Sequence, residues 1–221
     1  VPTTSPELFG DADVVFRGEA EGRIDELIEA LARGAGDQVV LEAAGRFPEM
    51  TSVPVPRFDL LELSEYASVS VQYSRGCPFR CEFCDVIEIF GRRPRVKTPE
   101  QVVAELEAIH GLGYRGTVFF VDDSFIGNKA EVKRLLPVLR DWQVAHGRPF
   151  QLYTEASVDL AADPALLRDV HAVQGEHLIR YTREHVVPRM ERALAELSAE
   201  AGPGQFAFEN GEPQLAAAAS S

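Results

Sequence analysis

The chain has 221 residues, 45% of them hydrophobic, with 35 acidic against 22 basic side chains and a formal net charge of -13. That is enough apolar material for one large core or two small ones, while the acidity repels phosphate backbones and excludes nucleic acid as a general partner. No apolar run approaches the roughly 20 residues a membrane-spanning helix needs, and VPTTSPELFGDADVV at the N-terminus has no basic segment followed by an apolar one. A cytoplasmic protein with no transmembrane segment is expected.

In chain order, ADVVF predicts a strand, and Ile24, Leu27, Ile28 and Leu31 predict an amphipathic helix stopped at Gly34. One such unit cannot bury its own faces, so residues 1–45 read as the closing piece of an α/β domain. The proline-punctuated stretch 46–67 predicts an extended linker. From residue 68 the pattern is regular. A strand over Ser68–Ser74 runs into a cysteine-bearing loop, and a helix follows, opened by Thr98 as cap, Pro99 at its first position and Gln101 completing a capping box. Val102, Val103, Leu106 and Ile109 form its apolar stripe. Next come a strand over Thr117–Val121, a helix opened by Asn128 and Glu131 that runs to about His146, a strand over Phe150–Thr154 and a helix started by Asp163 and Pro164. Pro137 predicts a kink in the second of these helices, and Trp142 falls in line with Leu135 and Leu139 as core.

Strand and helix alternating over short turns specify a parallel sheet with right-handed crossovers. The expected fold class for residues 68–170 is α/β, a partial (β/α) barrel or a small doubly wound sheet. Beyond Val170 the regularity stops: 171–197 predicts a helical segment broken near Pro188, and 198–221, rich in Ala, Gly, Pro and Ser, predicts a disordered tail.

All three cysteines, Cys77, Cys81 and Cys84, lie in YSRGCPFRCEFCD with the spacing C-x3-C-x2-C, on the loop that leaves the first regular strand. An odd number of thiols in a reducing compartment argues for metal binding or catalysis over disulfides. Thiolates suit zinc or iron-sulfur clusters. A closed zinc site wants four ligands, and the nearest histidine, His110, lies on a predicted helix, so zinc would borrow a distant ligand. A cubane held by three cysteines keeps its fourth iron open to an exogenous ligand. Asp122 and Asp123 at the end of the second strand, and Glu155 at the end of the third, share a rim with the cysteine loop, because the C-terminal ends of parallel strands converge. On spacing alone these carboxylates could equally cap the following turns. Arg75, Arg80, Arg92, Arg93, Arg95 and Lys97 outnumber Glu82, Asp85 and Glu88 nearby, either as charge balance on a solvated loop or as compensation for an anionic cluster or ligand.

The cysteine spacing, with Phe83 just before the last cysteine, resembles the signature of the radical S-adenosylmethionine superfamily. The wider run from Ser68 to Lys129 is similar to its cobalamin-binding branch, including the hopanoid-methylase-like group, and the resemblance covers roughly Val14 to Val170. It implies a partial barrel of the radical S-adenosylmethionine type. It implies a 4Fe-4S cluster held by Cys77, Cys81 and Cys84, with S-adenosylmethionine on the fourth iron, and reductive cleavage to methionine and a 5'-deoxyadenosyl radical that abstracts a substrate hydrogen. Phe83 would lie near the adenine, Asp122 and Asp123 near the methionine amine, and Glu155 would be a further cofactor or substrate contact. Also implied are a small-molecule or lipid substrate, a reducing electron donor such as a flavodoxin or ferredoxin, and a methylase reaction where cobalamin takes part. VFRGEAEG resembles the tail of a Rossmann-like cobalamin-binding domain whose His-bearing motif is not in the sequence, so cobalamin is expected only in a longer protein. About half of the family's usual βα units are present, and a shortened chain is the expectation. A structural iron-sulfur or zinc module and an inactive fragment are the competing readings.

Overall fold

Strands β1 (Val14–Arg17) and β2 (Val39–Glu42) pair in parallel, Val14 opposite Val39 through Arg17 opposite Glu42, and helix α1 (Ile24–Ala32) connects them. The sequence analysis predicts the first strand and the helix, and β2, as short as β1, is an addition to them. As expected of a unit that cannot bury its own faces, the apolar stripe is largely open: Ala30 is buried, but Ile24, Ile28 and Leu31 are 47, 56 and 59% exposed. A two-stranded sheet is too narrow to cover a helix face. This computed structural model describes residues 3–33, 38–43 and 45–174, residue 192 and the strand residues 206–209 and 212–215. The chain divides into two compact units, Val1–Ser157 and Val158–Ser221.

The stretch predicted as a linker is mostly extended, with single 3-10 turns at Met50–Ser52, Phe58–Leu60 and Leu63–Glu65. It is strapped down where Gln101 Nε2 donates to the carbonyls of Met50, Thr51 and Val53 at 3.2–3.3 Å and where Arg95 donates to the Pro48 carbonyl at 2.6 Å, and Met50 and Phe58 are buried.

The main sheet starts with β3 (Ser68–Val71). After it come the two-residue strands β4 (Ser74–Arg75) and β5 (Arg95–Val96), with the short helix α2 (Val86–Phe90) between them. Helix α3 (Pro99–Gly111) begins with the predicted capping box: Gln101 N donates to Thr98 Oγ1 at 3.2 Å, and Thr98 N donates to Gln101 Oε1 at 2.9 Å. Strand β6 (Thr117–Phe120), helix α4 (Lys129–Ala145) and strand β7 (Gln151–Thr154) follow. Asn128 Oδ1 accepts from Glu131 N at 3.3 Å and starts α4, which continues as helix past the exposed Pro137. The sheet is parallel in the order β3-β6-β7, with Val69, Val118 and Leu152 on one rung. Those residues, with Leu106 and Ile109 of α3 and Val132, Leu135, Leu139 and Trp142 of α4, are buried and form the core. Among the described residues the parallel sheet ends at three strands.

In the second unit, helix α5 (Pro164–Gln174) starts where predicted, with Leu166 N donating to Asp163 Oδ1 at 3.0 Å. The break predicted near Pro188 lies outside the described residues. The tail predicted to be disordered contains strands β8 (Phe206–Glu209) and β9 (Glu212–Leu215), paired antiparallel. Composition hid a local signal there: alternating apolar residues on either side of Asn-Gly favour a hairpin.

Candidate functional site

The loop from Gln72 to Lys97 leaves the C-terminal end of β3 and is closed at its neck by backbone pairing. Strands β4 and β5 pair antiparallel, Ser74 with Val96 and Arg75 with Arg95, and Lys97 N donates to Tyr73 O at 2.9 Å. Within the neck, Cys77 N donates to Gly91 O at 3.2 Å and Cys84 N to Cys81 O at 3.1 Å. Gly76 takes φ +95°, and a Cβ there would stand 2.9 Å from the carbonyl oxygens of Gly91 and Arg93; only glycine lets the two arms approach this closely. Gly127, after β6, lies close against the cysteine loop: a Cβ there would sit 3.1 Å from the Ser124 carbonyl oxygen and 3.2–3.3 Å from the Pro94 and Pro78 side chains. All three cysteines are free thiols, Cys77 and Cys84 half-buried and Cys81 exposed. Burial pushes the Cys77 thiol above its ordinary range, and the nearby Asp123 carboxylate adds to the shift.

The adjacent carboxylates at the end of β6 differ in what they touch. Asp122 is buried, and its two oxygens accept the backbone N–H of Tyr73, at 3.2 Å, and of Ser74. Burial raises its pKa to about 6 against the pull of those bonds. It fixes the exit of β3 to the exit of β6. Asp123 is half-buried and has an enclosed oxygen, Oδ2, without a hydrogen-bond partner, as does Ser124 Oγ beside it. Burial raises the pKa of Asp123 also, opposed chiefly by the Gly76 backbone. Glu155, at the end of β7, is exposed, and its carbonyl accepts Phe125 N at 3.0 Å. The Phe83 ring is 93% exposed.

The positive charge of the loop is partly neutralised from afar. Arg75 pairs with Glu19 at 2.5 Å and Glu21 at 2.6 Å, Arg95 also pairs with Glu19, and Lys97 pairs with Glu105. Three of the six cations are thus engaged by acids, and Arg80, Arg92 and Arg93 are the exposed remainder. Glu19 has only 2% of its side chain exposed, and no local pattern in the sequence marks it. Between the loop that follows β1 and the C-terminal ends of β3 and β6 lies a cleft of about 750 Å³, whose lining includes Glu21, Val53, Gln72, Arg75 and Glu105.

Among the described residues, the group of three metal-competent side chains whose ligand atoms all lie within 4.8 Å of one another is Glu107, His110 and His146, and not the cysteines. The sulfurs are therefore not gathered to the spacing of about 3.8 Å that thiolates take around one tetrahedral ion.

Residues 71–173 match the profile of the family described as the Radical SAM superfamily. The chain is 51% identical over 156 residues to an uncharacterized methyltransferase of Synechocystis sp., covering 71% of this chain and 29% of that one. It is 42% identical over 165 residues to the hopanoid C-2 methylase of Rhodopseudomonas palustris, covering 73% of this chain and 31% of that one. Its fold matches that of the cobalamin-dependent S-adenosylmethionine radical enzyme OxsB with a TM-score of 0.55 over 77% of this chain and 27% of that one, at 21% identity. Residues 71–173 belong to the radical S-adenosylmethionine superfamily, the chain is similar to these methylases, and its parallel α/β layer is a partial form of that fold. It spans less than a third of the length of these relatives.

Proposed function

We propose that this chain carries the cluster-binding and S-adenosylmethionine-binding part of a radical enzyme of the methylase type. The supporting observation is the enclosed, unpartnered Oδ2 of Asp123 beside a backbone-closed loop that holds every cysteine in the chain. Three thiolates and no fourth protein ligand in the loop fit a 4Fe-4S cluster on Cys77, Cys81 and Cys84. When bound, that cluster supplies the electron that cleaves S-adenosylmethionine to methionine and a 5'-deoxyadenosyl radical.

The residues of the chain bind and position. Asp123 accepts the methionine ammonium at its enclosed Oδ2, where a carboxylate oxygen meets a cation with little competition from water. Asp122, with both oxygens on backbone amides, holds the strand exit on which Asp123 and the loop depend. Phe83 offers its exposed ring to the adenine, and Glu155 faces the same rim as a further contact. Residues 1–45 are read as the tail of a cobalamin-binding domain, 46–67 as the linker and 68–170 as the catalytic core. Cobalamin, a small-molecule or lipid substrate and a flavodoxin-like or ferredoxin-like donor belong to the whole protein. A cytoplasmic location goes with this chemistry; among the described residues no helix is long and apolar enough to cross a membrane.

Anaerobic reconstitution with iron and sulfide, followed by S-adenosylmethionine and a strong reductant, tests the reading. A brown chromophore with about four irons per chain and formation of 5'-deoxyadenosine are expected. No iron retained after reconstitution, or a cluster that never yields 5'-deoxyadenosine, overturns it.

A further inference from the structure

Helices α3 and α4 each begin near the C-terminal end of a strand and deliver the chain to the N-terminal start of the next, so their C-terminal ends lie at the pole of the sheet opposite the cysteine loop. There Glu107 and His110, three residues apart on one face of α3, meet His146, the residue that ends α4. One ligand atom from each lies within 4.8 Å of the other two. His146 Nε2 stands 3.2 Å from Glu107 Oε1, close to the separation of about 3.3 Å between two ligands of a tetrahedral ion bound at 2.0–2.1 Å.

The surroundings fix the protonation of one ligand. His146 Nδ1 is 2.9 Å from the carbonyl oxygen of Trp142. A carbonyl only accepts, so Nδ1 carries a proton and donates it. That leaves Nε2, the other ring nitrogen, facing the Glu107 carboxylate oxygen, where a cation between them, a proton or a metal ion, is attracted by both. The same carboxylate oxygen has a second contact: Trp142 Nε1 donates to Glu107 Oε1 at 2.6 Å. A carbonyl on the far nitrogen of the imidazole and a donor on the carboxylate are the kind of outer partners that orient ligands in metal sites. The Trp142 indole stacks on His146 with centroids 4.4 Å apart, and His110 meets His146 edge-on at 5.0 Å. The group is open to solvent, with Glu107 47% and His146 27% exposed at their side chains. Arg115, which donates to the carbonyls of His110 and Tyr114, is a neighbouring positive charge that a bound cation must tolerate.

We propose that Glu107, His110 and His146 form a second metal site, separate from the cysteine loop, for one divalent ion of the zinc class. Two imidazoles and a carboxylate suit zinc and its transition-series neighbours over calcium or magnesium, and three protein ligands leave a position for water. The ion clips the ends of α3 and α4 together. This inference does not depend on the radical chemistry proposed above.

The test uses the full chain with its three thiols alkylated, so that the cysteines cannot take the metal. Zinc chloride titrated calorimetrically into this protein is expected to bind at one ion per chain and to raise the thermal midpoint. His110→Gln and Glu107→Gln are each expected to weaken binding about tenfold or more, while unfolding like wild type in EDTA. No binding by wild type, or equal binding by both variants, overturns the proposal and leaves a proton as the cation between Glu107 and His146. If the substituted chains do not fold, cobalt(II) added to the alkylated wild type decides: d–d absorption without a thiolate charge-transfer band supports the site, and no visible absorption overturns it.

Discussion

Asp122 and Ser74 are 48 positions apart, yet the carboxylate of the first accepts the backbone N–H of the second, and the neighbouring N–H of Tyr73 donates to the same group. The cysteine loop therefore departs from β3 in a direction set by β6. Asp122→Ala strands two buried amides, and a loss of about 1–3 kcal/mol is expected in urea unfolding. The loss should depend on pH. The folded pKa of about 6 lies above the ordinary 3.8, so the contribution of Asp122 is fully present below pH 3.8 and declines as pH rises through 6. The gap between wild type and variant should widen on going from pH 7 to pH 4.

Asp123 makes a different kind of contact, and its substitution separates binding from folding. Asp123→Asn keeps the size of the side chain and removes the charge. Unfolding and iron content should stay near wild type, while S-adenosylmethionine binding weakens by about 10- to 100-fold, the worth of a hydrogen bond to a charged group. Equilibrium binding to the reconstituted protein measures this.

Gly76 and Gly113 both take positive φ, but a Cβ on Gly76 would press on two backbone carbonyls, while one on Gly113 meets nothing within 4 Å. Gly113→Ala should cost about 1 kcal/mol from backbone conformation alone. Gly76→Ala should cost more and also lower the iron retained after reconstitution, because the arms of the neck must part. Thermal unfolding and iron analysis of the two variants side by side check the contrast.

Glu19 pairs with two guanidiniums that are themselves mostly buried, with 14% and 11% of the Arg75 and Arg95 side chains exposed. Glu19→Gln leaves both without their shared anion, and removing one partner of a buried pair typically costs about 3–5 kcal/mol. High salt should not restore the loss, since screening acts weakly on buried charge. Denaturant unfolding at low and high ionic strength measures it.

What the sequence disclosed was local in origin. The Thr98–Gln101 box, the Asn128 and Asp163 caps and the apolar runs of β3, β6 and β7 depend on residues a few positions apart, and they stand where the pattern puts them. The division of labour between Asp122 and Asp123 was not legible, because both lie in the turn after β6 and the groups that distinguish them lie across the fold. The same holds for Arg75 and Arg95, whose acids lie 54 to 76 positions away. Periodicity in α1 marks an apolar face without saying what covers it. His110 and His146 read as ordinary helix residues, since only the packing of α3 beside α4 brings them together.

The two rungs joining Ser74 to Val96 and Arg75 to Arg95 set the circumference of the ring of chain that carries the cysteines. A ring tied at both ends bounds how far Cys77, Cys81 and Cys84 can reach, so anything the three thiols hold in common must fit within it.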